Sequence, residues 1–505
     1  MDSLPTIITQ LTRVKIKVIK NIANFMTTNY LVRVFVKMFL LSKFLYSGVI
    51  LAQYKDTTFS FEDLTLTNQN KVLSLEEFLG MIKAYHPFVK QAKIKLSSAE
   101  ADLLSSRGVF DPKMIFKNTS KSFDGINYYE KLGATFKVPT YFGIDLIGSF
   151  DRNDGVNLNP EHYLSQGKLF SIGADMDLGR GFWANERLNT LKQAELFRKQ
   201  TKENVRLEVN KILFEATKNY VKWYESFTAY TIWQKFVANA QFRLKAVHSA
   251  YERGDVAAID TTEARIALNS RKLSLEQAKL DLRQSSLKVS NYLWLDQVPL
   301  ELSPEITPEK DITRIQTQFI VLDKDITEHP LLNSANFGVA QGRLDQRLKS
   351  AELFPEMTLG YRWLSGDPNF EKLYFALDPQ NNTIQFKVSF PLFLRKERGA
   401  FKLSQLKLQD AELDLSQKTL ELRNKIQGLE FTVEVTKEQS MMANKLVYDY
   451  EVLNKAEQVK FMEGESSLFL VNNRESNYIE SILKQLKTNV SWLVAQADLY
   501  YNLVF

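Results

Sequence analysis

The chain reads as mainly helical with a β portion, arranged as long coiled-coil hairpins in an internally duplicated plan. Three observations predict this. Apolar residues recur every seven positions at Val209, Ala216, Trp223, Tyr230, Val237, Leu244 and Tyr251, and again at Ile259, Ile266, Leu273, Leu280, Leu287 and Trp294. A sustained seven-residue period is what a helix needs to keep one seam against its neighbours in a left-handed supercoil. Between the two runs stands Gly254, where a chain that reverses can take the left-handed cap conformation without steric cost. Finally, His86-Pro87 and Pro112 are answered by His329-Pro330 and Pro355, each at an offset of 243 residues. A repeat of that length points to duplication of a whole unit. An ordinary coiled-coil strut accounts for the Gly254 hairpin taken by itself.

The 505 residues allow two to four domains or one elongated assembly. Cysteine is absent and the four histidines, His86, His162, His248 and His329, are scattered. Disulfides and thiolate metal sites are thereby excluded, and no cofactor is expected. Residues 1–52 carry Arg13, Lys15, Lys17, Lys20, Arg33, Lys37 and Lys43 against Asp2, which accounts for the whole net charge of +6. The remainder is neutral and shows no basic footprint for nucleic acid. Met38 to Ala52 is largely apolar, follows Arg33 and Lys37, and ends Ile-Leu-Ala before Gln53. This pattern predicts a secretory signal cleaved after Ala52, with Met26 the more typical start. A membrane anchor is the alternative, but Lys43 leaves too short an apolar run for the roughly 20 residues of a spanning helix.

In chain order, Ser74-Leu-Glu-Glu77 is a capping box that starts a helix. His86-Pro87 interrupts it, and a second helix runs to about Arg107. Alternating segments follow at Met114–Phe123, Lys131–Val138, Tyr141–Phe150 and Leu169–Leu178, close to the 9–11 residues of a tilted transmembrane strand. Tyr128, Tyr129, Tyr141, Phe142, Phe150, Tyr163 and Phe170 concentrate here, as in an interfacial girdle. Gly179-Arg-Gly181 turns into a helix over Ala184–Arg253, 70 residues and about 105 Å long. The helices 255–295 and Pro87–Arg107 together nearly match that length. Residues 296–328, with Pro299, Pro304 and Pro308, form an irregular connector. The plan then repeats: a helix over 331–353, strands Glu356–Trp363 and Thr383–Phe393, and Pro391-Leu-Phe leading to Arg398-Gly399 as counterpart of the Gly-Arg-Gly turn. A long helix over 396–463 breaks at Glu463-Gly464. A shorter one over 465–502 carries Ile479, Leu486, Leu493 and Tyr500 in one register and Leu483, Val490 and Ala497 in the other. The domains are therefore 1–52, signal; 53–295, first repeat; 296–328, connector; and 329–505, second repeat. Helices this long beside strands suggest a hollow object, since no compact core has that dimension.

Catalytic signatures are missing. No Gly-x-x-x-x-Gly-Lys-[Ser/Thr] loop, Gly-x-Ser-x-Gly elbow or His-Glu-x-x-His pair occurs, so an enzyme is not expected and nucleotide energy would come from a partner. The two His-Pro sites read as ordinary helix starts, and the many helical carboxylates read as solvated faces among Lys and Arg.

Ser74-Leu-Glu-Glu-Phe78 with His86-Pro87, Ser389-Phe-Pro-Leu-Phe393, Tyr251-Glu-Arg-Gly-Asp255 and Phe461-Met-Glu-Gly-Glu465 occur in an order and spacing that resembles the TolC-like outer-membrane efflux family over residues 74–502. The resemblance implies a homotrimer in which each chain gives strands to a shared transmembrane β-barrel and helices to a periplasmic α-barrel, with the connector as an equatorial belt. Sharing one barrel also closes strand edges that lipid does not tolerate. It implies a passive duct in the outer membrane of a Gram-negative bacterium, fed by an inner-membrane transporter through a periplasmic adaptor protein. Four strand segments in the first half depart from the family's two; the pair Lys131–Val138 and Tyr141–Phe150 either enlarges the barrel or forms an extracellular hairpin. Acidic side chains six and nine residues past each tip glycine would line a periplasmic constriction. Asp260 and Glu263 match, whereas Leu470 and Asn473 do not, and Asp260 is also explained as a helix N-terminal acid. The tips Gly254-Asp255 and Gly464-Glu465 would dock the adaptor. The competing expectation is an exported coiled-coil scaffold without a lumen.

Overall fold

The structure, a computed structural model, describes residues 72–164, 167–179, 184–311, 315, 319, 326–366 and 380–503. The expected signal over 1–52 lies outside them, as do Arg180 and Gly181 and part of the connector. Seven long or medium helices and one six-stranded sheet carry the described part.

Helix α1 (Leu75–Tyr85) begins at the expected capping box: Ser74 Oγ accepts the Glu77 N–H at 3.2 Å and Glu77 accepts the Ser74 N–H at 3.1 Å. Helix α2 (Pro87–Arg107) starts at His86, whose Nδ1 accepts the Phe88 N–H. The strands are β1 (Lys113–Phe123), β2 (Ile126–Pro139), β3 (Ile144–Asp154) and β4 (Lys168–Asp177). Asp124-Gly125, both at positive φ, make the tight β1–β2 turn that suits twisted antiparallel strands. Helix α3 (Glu186–Glu252) is capped by Asn185, and α4 (Ala258–Ser290) returns along it. Then come α5 (Pro330–Ala351), β5 (Glu356–Ser365), β6 (Asn382–Ser389), α6 (Arg395–Met462) and α7 (Leu468–Leu503).

All six strands are antiparallel neighbours in the order β6-β5-β4-β3-β2-β1, so β5 joins the second half of the chain to the first. α2 and α4 pack along α3, while α5 and α7 pack along α6; α3 also touches α5 and α7. The largest buried cluster lies midway along the helices. Phe78 and Ile82 of α1 meet Tyr220 and Trp223 of α3, Val289 of α4, and Leu486, Val490 and Leu493 of α7. Burying each such side chain contributes about 1.5–3 kcal/mol. The connector is tied to this cluster. Thr307–Pro308 pairs in parallel with Val72–Leu73, and Tyr220 Oη donates to Leu73 O at 2.7 Å and accepts the Glu309 N–H at 3.1 Å.

Two expectations need correction. The turn before α6 is at Leu394, which takes φ 47, and Arg398 and Gly399 already lie within the helix. The Gly-Arg-Gly likeness misplaced it because Leu394 supplies the left-handed residue. The seven-residue stripe Ile259, Ile266, Leu273, Leu280 and Leu287 is not the seam of α4 with α3 either. These residues are 42–74% exposed, and α4 meets α3 through Ala264 and Leu268. The stripe is left facing outward in one chain.

Candidate functional site

Three places combine unusual chemistry with a defined position: the two faces of the sheet, the helix tips, and a charged cluster behind the tips.

Register sorts the strand residues into two faces, because side chains alternate and opposed residues share a side. One face carries Met114 and Phe116 of β1, Leu132, Ala134, Phe136 and Val138 of β2, and Ile144, Leu146 and Phe150 of β3. It continues through Phe170, Ile172, Ala174 and Met176 of β4, Leu359, Tyr361 and Trp363 of β5, and Ile384, Phe386 and Val388 of β6. No charged side chain interrupts this band, yet Phe116, Leu146, Ile384 and Phe386 are more than half exposed. From Phe170 to Met176 it is about 20 Å tall at 3.4 Å per residue. Glu130, Arg152 and Lys168 bound it at the strand ends remote from the helices.

The opposite face is polar. It presents Lys113, Lys117 and Lys121 of β1, Lys131 and Lys137 of β2, Asp145 and Asp151 of β3, Asp175 and Asp177 of β4, Arg362 of β5 and Lys387 of β6. Arg362 pairs with Asp175 across the β4–β5 step at 3.2 Å. Asp145 binds Lys137 Nζ at 2.7 Å and takes both arms of Arg187, at 2.5 and 3.0 Å, fixing β2 and β3 to the first turn of α3. An apolar outer band over a polar inner face is the pattern of a transmembrane β-barrel wall. Among the described residues β1 and β6 are the edge strands of the sheet. Among the described residues no helix is long and apolar enough to cross a membrane.

At the tips, Gly254 and Gly464 both take φ +81. Gly254 N–H bonds Tyr251 O and Asp255 N–H bonds Ala250 O; Gly464 and Glu465 repeat this with Phe461 and Lys460. Both are glycine caps of the Schellman type. Asp255 also accepts from Arg253 Nε at 2.9 Å. The tips lie at the same end, since Val247, Ala264 and Leu468 share a buried cluster with Phe461 against it. Asp260 accepts the Ala257 N–H at 3.2 Å, the position of a helix N-terminal acid. Glu263 accepts from Asn472 Nδ2 at 3.2 Å. Leu470 and Asn473 are exposed, and Asn473 accepts from Asn477 Nδ2. Glu263 and Asn473 line one groove of about 770 Å³ between α4 and α7, while Asp260 and Leu470 lie outside it.

Behind this groove is the feature that sequence reasoning missed. Glu475 of α7, 1% exposed, accepts from Arg243 of α3 and from Arg271 of α4 at 2.7 Å; Arg243 also donates to Asn472. Burial pulls the Arg271 guanidinium below its ordinary value, against the opposing pull of Glu475. The expectation that helical carboxylates are solvated faces is therefore wrong for Glu475. Its sole sequence signal is its neighbourhood: it stands one turn after Val471 and one turn before Ile479, both buried on the core side of α7.

No protein-family profile and no curated protein sequence matches the chain. Solved structures do. The Campylobacter jejuni CmeC outer membrane channel aligns with TM-score 0.61 at 12% identity, covering 85% of this chain and 85% of that one. The outer membrane protein VceC from Vibrio cholerae gives 0.60 at 11%, covering 85% and 94%. The open state of the Neisseria gonorrhoeae MtrE outer membrane channel gives 0.57 at 12%, covering 85% and 88%. The chain therefore has the fold of these outer-membrane channels.

Proposed function

We propose that the chain is one protomer of a homotrimeric outer-membrane channel, a passive duct for cargo passed on by an inner-membrane pump through a periplasmic adaptor. The two-faced sheet carries this reading. Its apolar band suits lipid, its charged face suits a water-filled lumen, and its edges β1 and β6 need partners that lipid cannot provide. The outward stripe of α4 supports an assembly of several copies, since one chain leaves it uncovered. The two halves of the chain are the products of a duplication, and residues 1–52 are the export signal. Asp260 and Glu263 form the acidic part of a constriction, with Leu470 and Asn473 at the corresponding positions of the second hairpin, and Gly254, Asp255, Gly464 and Glu465 meet the adaptor.

Fractionation of a Gram-negative host expressing the chain tests this. Cross-linked trimer in the outer membrane, beginning at or near Gln53 and conducting ions in a planar bilayer, is the expected result. A soluble or monomeric product without conductance would favour a scaffold that encloses no lumen.

A further inference from the structure

Strands β2 and β3 are interior strands of the sheet, between β1 and β4. β2 pairs with β1 from Lys113↔Lys137 to Phe123↔Ile126, and β3 pairs with β4 from Ile144↔Met176 to Arg152↔Lys168. They also continue both faces of their neighbours. Phe136 and Leu146 extend the exposed apolar band, while Thr135 and Ser149 lie on the polar side, with Ser149 Oγ 2.7 Å from Ser171 Oγ on β4. At the helical end, Asp145 is only 7% exposed and its clamp to Arg187 ties β3 to α3. A hairpin standing clear of the membrane needs neither an apolar outer face nor an anchor at the helix base.

We infer that β2 and β3 are wall strands, so that each chain supplies six. On the trimeric reading above, three copies then close an eighteen-stranded barrel. The directions agree, because successive antiparallel strands leave β6 of one copy antiparallel to β1 of the next. With strands about 4.8 Å apart and tilted about 40°, eighteen give a backbone cylinder about 36 Å across, against about 24 Å for twelve. The former is in the range of water-filled porin channels.

The absence of native cysteine makes single-cysteine variants clean reporters. In trimer reconstituted into phosphatidylcholine vesicles, a charged maleimide should label Thr135→Cys and Ser149→Cys at least about tenfold faster than Phe136→Cys and Leu146→Cys, because lumen and lipid positions alternate. A lipid-soluble maleimide should reverse the order. Fast aqueous labelling at all four positions would overturn the wall assignment. Electron microscopy of the unmodified trimer in nanodiscs should show a barrel about 36 Å wide, and one of about 24 Å would overturn it independently of any variant. The oligomeric state is read separately by cross-linking. A trimer with the narrow barrel refutes only the six-strand assignment, whereas a monomer refutes the channel reading on which it rests.

Discussion

Glu475 answers two guanidinium groups, Arg243 and Arg271, in a position almost closed to water. Such a cluster adds little net stability over an apolar packing of the same volume, but removing one partner leaves charge buried and unmatched. Glu475→Gln is therefore expected to destabilise the tip region by about 3–5 kcal/mol. The measurement is amide exchange across α3, α4 and α7, where the loss should be confined to the segments around Arg243, Arg271 and Glu475. Replacing Arg271 and Glu475 together by leucine should recover most of the loss, because Arg243 is the more exposed arginine and can turn toward water. Equal exchange in wild type and Glu475→Gln would show that the cluster is hydrated.

Among the elements, α2 and α5 start alike. His86 and His329 each accept the N–H two residues on through Nδ1, and the other ring nitrogen of His329 lies 3.1 Å from Asn502 O. These contacts require neutral imidazoles, as in ordinary helix starts. Burial lowers both pKa values, more than the backbone bonds to Asn291 and Asn502 raise them. A histidine depressed in the folded state is neutral in both states above its unfolded value of about 6.5, so stability is complete there. Below that pH the unfolded chain takes up the proton first, and stability falls until the folded pKa is passed. Thermal unfolding of the detergent-solubilised protein should show this decline as the pH falls below about 6.5, and the double change His86→Asn, His329→Asn should flatten it while keeping a good cap. The α4 stripe gives a second prediction. Leu273 is 74% exposed in one chain, so Leu273→Lys should leave the fold unchanged. If the stripe is an interface, the change should cost each copy about 2 kcal/mol of trimer stability, read as dissociation on dilution in detergent.

For the whole molecule, the consequence of the proposed threefold assembly is electrostatic. Asp260 and Glu263 would each become a ring of three, and rings of carboxylates at a narrow level favour cations. The double change Asp260→Asn, Glu263→Gln is expected to abolish cation preference in single-channel recordings. Unchanged selectivity would leave Asp260 as the helix-start acid that its bond to Ala257 already makes it. The missing acids at Leu470 and Asn473 should leave the ring less sensitive to divalent cations than a full acidic set.

What the sequence determined by itself is whatever depends on local period and local backbone. The seven-residue repeat marked the two helices that flank Gly254 and the last helix to within about five residues, the Ser74 and His-Pro starts were placed correctly, and Gly254 and Gly464 sit at the left-handed caps. Alternation found all six strands because each one has an apolar and a polar side. The tertiary structure decided how those faces are used. Periodicity shows that Ile259 through Leu287 form a stripe, but not that Ala264 and Leu268 are the ones packed on α3. Nor does it show that Ile126–Pro139 and Ile144–Asp154 lie within the sheet, since a free hairpin and a strand paired on both sides alternate alike until their neighbours are known. Glu475 looked like a solvated acid because its partners are 204 and 232 residues away. Burial and ion pairing join residues across the chain, and only their placement in space makes one carboxylate of a charged helix different from the rest.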